Sequence, residues 1–283
     1  SRLLALRATD SIADLARRAG EITVERLNER IEISAGTREI RDLIELFNAM
    51  VDRLGKSFLM TRRFSADASH ELKSPLTVMQ GILESHISGD NPLNISTEEL
   101  DTLLSETHRM RTIIEALLLL SRADEGRLIG QWNLVDLTGV VRDVCDDAFF
   151  LAKEKGVDLH LDLPSSGVWV SGDEGLLRMA IHNLVSNAIR YGDDHGKIWI
   201  TVILTGSRVA LAVGNTGTPI PDSDRDVIFE RFYRLDQARQ RHIGGLGLGL
   251  NLARDIARGH GGDVVLKSSG LSGTIFEMVI YAK

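Results

Sequence analysis

Apolar residues in the first part of the chain recur in steps of three and four, the spacing of an amphipathic helix. Ile12, Leu15, Ala19 and Ile22 predict one such helix, and a polar connector broken near Ser34, Ala35, Gly36 and Thr37 follows it. Ile40, Leu43, Phe47, Met50 and Leu54 predict a second helix with a period of about 3.5 residues. Two short helices cannot bury such stripes by themselves, so a partner chain is expected against them. The second helix runs on with few breakers. Gly55 is its weak point, at a cost of about 1 kcal/mol relative to alanine. Leu72, Leu76, Met79 and Leu83 continue the alternation as far as a breaker cluster, Ser88-Gly89-Asp90-Asn91-Pro92. Ser96 with Glu99 then reads as a capping box. It opens a helix whose seam is Leu100, Leu103, Thr107, Met110, Ile114, Leu117 and Ser121. Two long antiparallel helices with one stripe each make half of a four-helix bundle, which a homodimer would complete. The alternative is a monomeric hairpin packed on the rest of the chain.

From about Gly130 the pattern changes. Strands are expected at Asp158 to Leu163, Val168 to Val170, Lys197 to Leu204, Val209 to Val213, Asp263 to Leu266 and Thr274 to Ile280, with a turn at Gly206-Ser207. Helices are expected at Leu137 to Lys153, Gly175 to Ile189 and Leu248 to Arg258. Helices on one face of a mixed or antiparallel sheet make an α+β sandwich. No internal repeat or low-complexity tract interrupts the pattern.

Composition narrows the picture. The chain has 283 residues, 43% hydrophobic and 26% charged, enough for two or three domains with ordinary cores. A net charge of −7 argues against a nucleic-acid surface. The single cysteine, Cys145, excludes an internal disulfide framework or a cysteine-rich metal site, and its apolar neighbours make it a core residue. No apolar run approaches a membrane span, and no signal peptide is evident. The chain opens abruptly on what already reads as helix, which suggests the soluble part of something longer.

Candidate chemistry begins at His70. With Leu76 at heptad position a, His70 falls at b and Ser74 at f, one turn apart on the solvated face. A neutral ring nitrogen there can act as a nucleophile, and the adjacent Glu71 can take the other ring proton. A surface histidine with a helix-favouring neighbour is the plainer alternative. On a later helix, Asn183 and Asn187 are four apart and share one face; such amides can be merely solvated, or can offer oxygens to Mg²⁺ and phosphate. Asn215-Thr216-Gly217 forms a tight turn after a strand. Ile228-Phe229-Glu230-Arg231-Phe232-Tyr233-Arg234 follows, and Gly244-Gly245-Leu246-Gly247-Leu248-Gly249 leads into a helix. Glycines before a helix start let backbone N–H groups approach phosphate closely. A P-loop run is absent. A Rossmann fingerprint fails because Leu250 stands where its last glycine belongs.

The ordered set resembles a bacterial sensor histidine kinase of a two-component system. His70-Glu71-Leu72-Lys73-Ser74-Pro75 resembles the H box, and Asn183 to Tyr191 the N box. Asn215-Thr216-Gly217 resembles the G1 box, Phe229-Glu230-Arg231-Phe232 the F box, and Gly245-Leu246-Gly247-Leu248-Gly249 the G2 box. The resemblance spans the chain. It implies a HAMP relay domain over 1–57 (a dimeric four-helix coiled coil), a dimerisation and histidine-phosphotransfer (DHp) hairpin over 58–124, and a two-layer ATP-binding sandwich of the Bergerat (GHKL) fold, shared with Hsp90 and MutL, over 130–283.

In that family His70 would accept the γ-phosphoryl group of ATP, Glu71 would orient and deprotonate the ring, and Ser74 would support phosphatase action. Asn187 would bind Mg²⁺ with Asn183 beside it. Arg190 and Arg234 would face phosphates, Tyr191 would line the pocket, and Asn215 would read the adenine amino group. Gly217, Phe229, Phe232, Gly245, Gly247 and Gly249 would complete the nucleotide site, and residues 233–246 would form an ATP lid. The resemblance further implies a homodimer, transfer to an aspartate on a response regulator receiver domain, and the cytoplasmic portion of an inner-membrane protein whose membrane segment lies outside this chain.

Some positions depart from the family pattern. Asn215 stands where aspartate is usual, so a charge-assisted bond to adenine is lost. Pro219 replaces a common glycine, Ser74 stands for threonine or asparagine, and Asp10 lies near a usual proline. Two other functions compete: a plain ATPase on the same fold, disfavoured because Asn183 is a poor general base, and a dimeric signalling scaffold that is catalytically weak.

Overall fold

The computed structural model describes residues 17, 30–31, 38–87, 95–235 and 247–282. The expected helix over Ile12 to Ile22 and the breaker cluster at 88–92 lie outside them. The chain divides into two compact units, Ser1–His70 and Glu71–Lys283.

Helix α1, Arg38–Ile87, is continuous over 50 residues, through both Gly55 and Pro75. Within the first unit Ile31 of the connector packs with Ile40, Ile44 and Phe47. Asn48 holds that connector from both sides: its Oδ1 accepts the Ile31 N–H and its Nδ2 donates to the Ile31 carbonyl, each at 3.1 Å. Arg30 pairs with Asp52 one turn further on. The helix therefore carries two apolar lines where one was expected. Ile40, Ile44 and Val51 are buried, while Leu43, Met50 and Leu54 of the expected line are exposed.

The second unit begins with the last turns of α1 lying antiparallel to α2, Thr97–Asp124. Glu71 pairs with Arg109 at 3.0 Å and His86 with Glu99 at 3.2 Å. The capping box forms as expected: Glu99 N–H donates to Ser96 Oγ at 3.2 Å, and Ser96 N–H donates to the Glu99 carboxylate at 2.8 Å. The lower half of α2 differs from the expected seam. Ile113, Ala116 and Leu120 are its buried residues, and Ile114 is 45% exposed. This half packs against the last helix of the sandwich, and that contact selects a different face.

The sandwich contains β1 (Asn133–Asp136), α3 (Leu137–Glu154), β2 (Asp158–Asp162), β3 (Trp169–Gly172), α4 (Glu174–Tyr191), β4 (Lys197–Thr205), β5 (Arg208–Asn215), α5 (Gly249–Gly259), β6 (Asp263–Gly270) and β7 (Gly273–Tyr281). Five strands form one sheet in the order β2-β4-β5-β7-β6; β2 joins β4 in parallel and the remaining pairs are antiparallel. Alternation sends Ile198, Ile200, Leu211, Val213, Phe276 and Met278 into the core. There they meet the apolar faces of α3, α4 and α5, with α4 in the middle. The expected strands and helices are recovered within a few residues. The exception is β1, a four-residue strand whose exposed residues hide its alternation; it pairs with β3 in a separate two-stranded ribbon. Among the described residues no helix is long and apolar enough to cross a membrane.

His260 closes α5 from inside the core. Its Nδ1–H donates to the Ile256 carbonyl at 2.7 Å, and its Nε2 accepts the Asp173 N–H at 3.1 Å, which fixes it as neutral imidazole. Burial pushes its pKa below the usual 6.5. The unfolded chain then binds this proton more readily than the folded one, so stability is complete above about pH 6.5 and falls as pH drops below it. Urea midpoints of the full chain at pH 7.5 and 5.5 should show this loss, and His260→Gln should reduce the difference.

Candidate active site

Helix α4 is built to bury one side and present the other. Asp173 caps it, its Oδ1 accepting the Leu176 N–H at 3.1 Å. Leu177, Ala180, Ile181, Leu184, Val185 and Ala188 are buried. Asn183 and Asn187, on the remaining edge, line a cleft of about 1050 Å³. At its carboxyl end Lys155 Nζ donates to the carbonyls of Ile189, Arg190 and Gly192 at 3.0, 3.2 and 3.4 Å. An ammonium here offsets the negative end of the helix dipole. Gly192 bridges Gly217 across the following turn. Gly217 can only be glycine: a Cβ there would lie 2.4 Å from the Tyr191 carbonyl oxygen. Next to it Asn215 is buried and donates from Nδ2 to the Thr216 carbonyl at 3.1 Å, which leaves its Oδ1 as an acceptor.

The second wall comes from the chain on either side of residues 236–246. Phe229 packs edge-on against Phe276 with ring centroids 6.1 Å apart, and the Arg254 guanidinium lies 4.5 Å above its ring. Phe232 N–H donates to the Gly247 carbonyl at 2.9 Å. Gly247 has φ +67°, and a Cβ would approach the Phe232 backbone to 2.7 Å. Helix α5 starts two residues later, and a Cβ on Gly249 would sit 3.4 Å from Asn183 Oδ1. Asn183 Nδ2 is buried with no hydrogen-bond partner among the described residues.

The cleft thus brings together Asn183, Asn187, Arg190, Tyr191, Asn215, Arg234, Gly247 and Gly249. Gly217 stands behind the wall, as do Phe229 and Phe232, which anchor the backbone flanking Tyr233 and Arg234. Gly245 lies outside the described residues. His70 and Ser74 are exposed on α1, one turn apart, and Glu71 is half-buried against Arg109. Several lining residues carried no sequence motif: Thr218, Thr274 and Phe276, and from α2 Arg109, Thr112 and Ala116. Strand alternation could have placed Thr274 and Phe276 on the core face. Lys155, another lining residue, follows a helix end and could have been read as a cap.

An open cleft with amides along one helix and a glycine-led helix start opposite defines an ATP-binding domain of the Bergerat type. Residues 172–283 match the family model "Histidine kinase-, DNA gyrase B-, and HSP90-like ATPase", residues 60–126 match "His Kinase A (phospho-acceptor) domain", and residues 3–56 match "HAMP domain". The chain belongs to the sensor histidine kinases. It is 34% identical to the sensor protein CutS of Streptomyces coelicolor over 264 residues, 92% of this chain and 62% of that one. The chain therefore spans about three-fifths of the length of that relative. The histidine kinase AdeS of Acinetobacter baumannii aligns at TM-score 0.63 and 25% identity, over 76% of this chain and 98% of that one. The histidine kinase ThkA, solved in complex with the response regulator protein TrrA, shares the fold at TM-score 0.62 and 24% identity, over 84% of this chain and 67% of that one.

Two substitutions test the geometry. Gly217→Ala should displace the turn that carries Asn215 and weaken ATP binding about tenfold or more, as read by calorimetry. Lys155→Met should cost about 1–2 kcal/mol of stability in urea titration, because three carbonyls at a helix end lose their cation.

Proposed function

We propose that this chain is the phosphoacceptor and catalytic part of a homodimeric, ATP-dependent protein-histidine kinase. His70 is the acceptor in that reading, and the modules run 1–57 (relay), 58–124 (dimerisation and phosphotransfer) and 130–283 (ATP binding). The observation that carries it is one cleft holding the Asn183–Asn187 edge, Asn215 and the Gly247–Gly249 helix start, in a chain that also exposes a histidine beside a glutamate on a continuous helix.

The residues fit the roles. Asn215 Oδ1 accepts from the adenine amino group, and Tyr191 flanks the base. Arg190 and Arg234 offset phosphate charge, and the first N–H groups of α5 face the terminal phosphates. A ring nitrogen of His70 attacks the γ-phosphorus. A P–N bond forms as the bond to the β,γ-bridging oxygen breaks, ADP leaves with that electron pair, and Glu71 takes the other ring proton. Mg²⁺ suits the donor set. Among the described residues no cluster of three His, Cys, Asp or Glu forms a cage, whereas the Asn187 amide oxygen and the nucleotide phosphates are the hard oxygens this ion takes, keeping several waters. Bound there, the ion would neutralise phosphate charge. Ser74 lies one turn from His70, where its hydroxyl can orient a water for phosphatase action.

The phosphoryl group then passes to an aspartate of a response regulator, the class of protein with which ThkA was solved. The relay-domain match and the sensor relatives support a cytoplasmic portion joined to a bacterial inner membrane through a segment outside this chain. A plain ATPase is the second reading, and the amide at Asn183 in place of a carboxylate counts against it.

Incubation with Mg²⁺ and γ-labelled ATP should label the protein with an acid-labile, base-stable phosphoramidate. His70→Gln should abolish the label and keep ATP binding. Label persisting in that variant would sink the assignment, and phosphate release without protein label would favour the ATPase. Asn187→Asp should lose Mg²⁺-dependent phosphorylation while circular dichroism stays unchanged.

A further inference from the structure

Arg109 occupies two sites at once. Its Nη2 lies 3.0 Å from Glu71 Oε2, and Arg109 is among the residues that line the nucleotide cleft, with Thr112 and Ala116. These residues fall at i, i+3 and i+7, one face of α2. Asn183 and the start of α5 line the same cleft. The carboxylate next to His70 and the cleft therefore share one guanidinium. Glu106 approaches it only to 4.0 Å.

The pair is built to exchange. The Arg109 side chain is 44% exposed and that of Glu71 32%, so water screens their attraction and the net bond is weak. A triphosphate carries more negative charge than a diphosphate and so attracts a cation on the cleft wall more strongly. Guanidinium also prefers a phosphate it can grip with two N–H groups.

We propose that Arg109 is a positioning residue that moves from Glu71 to the terminal phosphate when ATP fills the cleft. ATP thereby uncovers the carboxylate beside His70, and ADP leaves it covered. The functional importance of this exchange rests on the roles of His70 and Glu71 given above, but the exchange itself is a binding equilibrium and can be measured without phosphorylation.

Coupling of this kind is reciprocal. If Glu71 and the terminal phosphate compete for Arg109, removing the Glu71 charge must tighten triphosphate binding. The test is a double-mutant cycle on the full chain, by calorimetry with Mg²⁺ and either ADP or the β,γ-imido analogue of ATP. Glu71→Gln should bind the analogue about three- to fivefold more tightly, the most an exchangeable ion pair allows, and leave ADP within about twofold. Arg109→Ala should weaken the analogue by at least about that factor and spare ADP, and Glu71→Gln should have no effect in that background. Arg109→Lys should keep the preference in part. If Arg109→Ala unfolds the hairpin, Arg109→Gln, which keeps the side-chain length, takes its place in the cycle.

The coupling is overturned if Glu71→Gln changes nothing, if its effect survives without Arg109, or if ADP and the analogue weaken equally. A closed cycle with no label on His70 would keep the coupling and remove the kinase reading. A labelled His70 with a flat cycle would do the reverse.

Discussion

The carboxyl end of α4 must be held in place while its polar edge stays open, and Lys155 meets that requirement. A helix ends with carbonyl groups that have no partner within it, and they carry partial negative charge. Left alone, they would sit unpaired beside a cleft meant for an anion. The Lys155 ammonium takes three of them, and the Gly192–Gly217 bridge ties the next turn to the end of β5. Asn215, Tyr191 and Arg190 all take their positions from that knot. The sheet holds this end of the cleft through β5, and Lys155 holds it through the end of α3. The amides of Asn183 and Asn187 are then presented by a helix that cannot rotate without breaking both.

The F box does different work. Phe229 and Phe232 hold the backbone on which Tyr233 and Arg234 ride. Phe232 adopts φ +61°, a left-handed conformation that costs a bulky residue on the order of 1–3 kcal/mol and persists because Gly247 accepts its N–H. Between them Arg231 reaches the end of α2 and grips Asp124 with two N–H groups, at 2.9 and 2.6 Å, while also meeting Asn251 and Asp255. Burial raises the Asp255 pKa, against the pull of Arg231. The segment that leads into residues 236–246 is thus also the joint between the sandwich and the hairpin.

Much of this was legible in the sequence because it is periodic or glycine-dependent. Strand alternation predicts β4, β5 and β7, and the amide spacing of four places Asn183 and Asn187 on one edge of a helix. What stayed hidden depends on long-range contacts. Lys155 reaches the carbonyls that end α4, Arg109 reaches Glu71 and Arg231 reaches Asp124, contacts that each span at least 34 residues, and no spacing rule reaches that far. The shift of the buried line on α2 from Ile114 to Ile113 has the same origin. Both lines are apolar, and only the docking of α5 decides which one is covered.

The two apolar lines on α1 bear on why the helix runs unbroken. In the first segment Leu43, Met50 and Leu54 are 47, 56 and 56% exposed; in the hairpin Leu76, Leu83, Leu100 and Ile114 are 45 to 52% exposed. Covering such half-exposed side chains gains about 1 kcal/mol each. Across two chains that is about 6 kcal/mol for the first segment and about 8 for the hairpin. Association costs about 4–15 kcal/mol before any surplus appears. Each segment's gain falls inside that range, and the two together, about 14 kcal/mol, come close to its upper end. Helix α1 is continuous through Gly55, so the exposed line of the first segment and His70 belong to one helix.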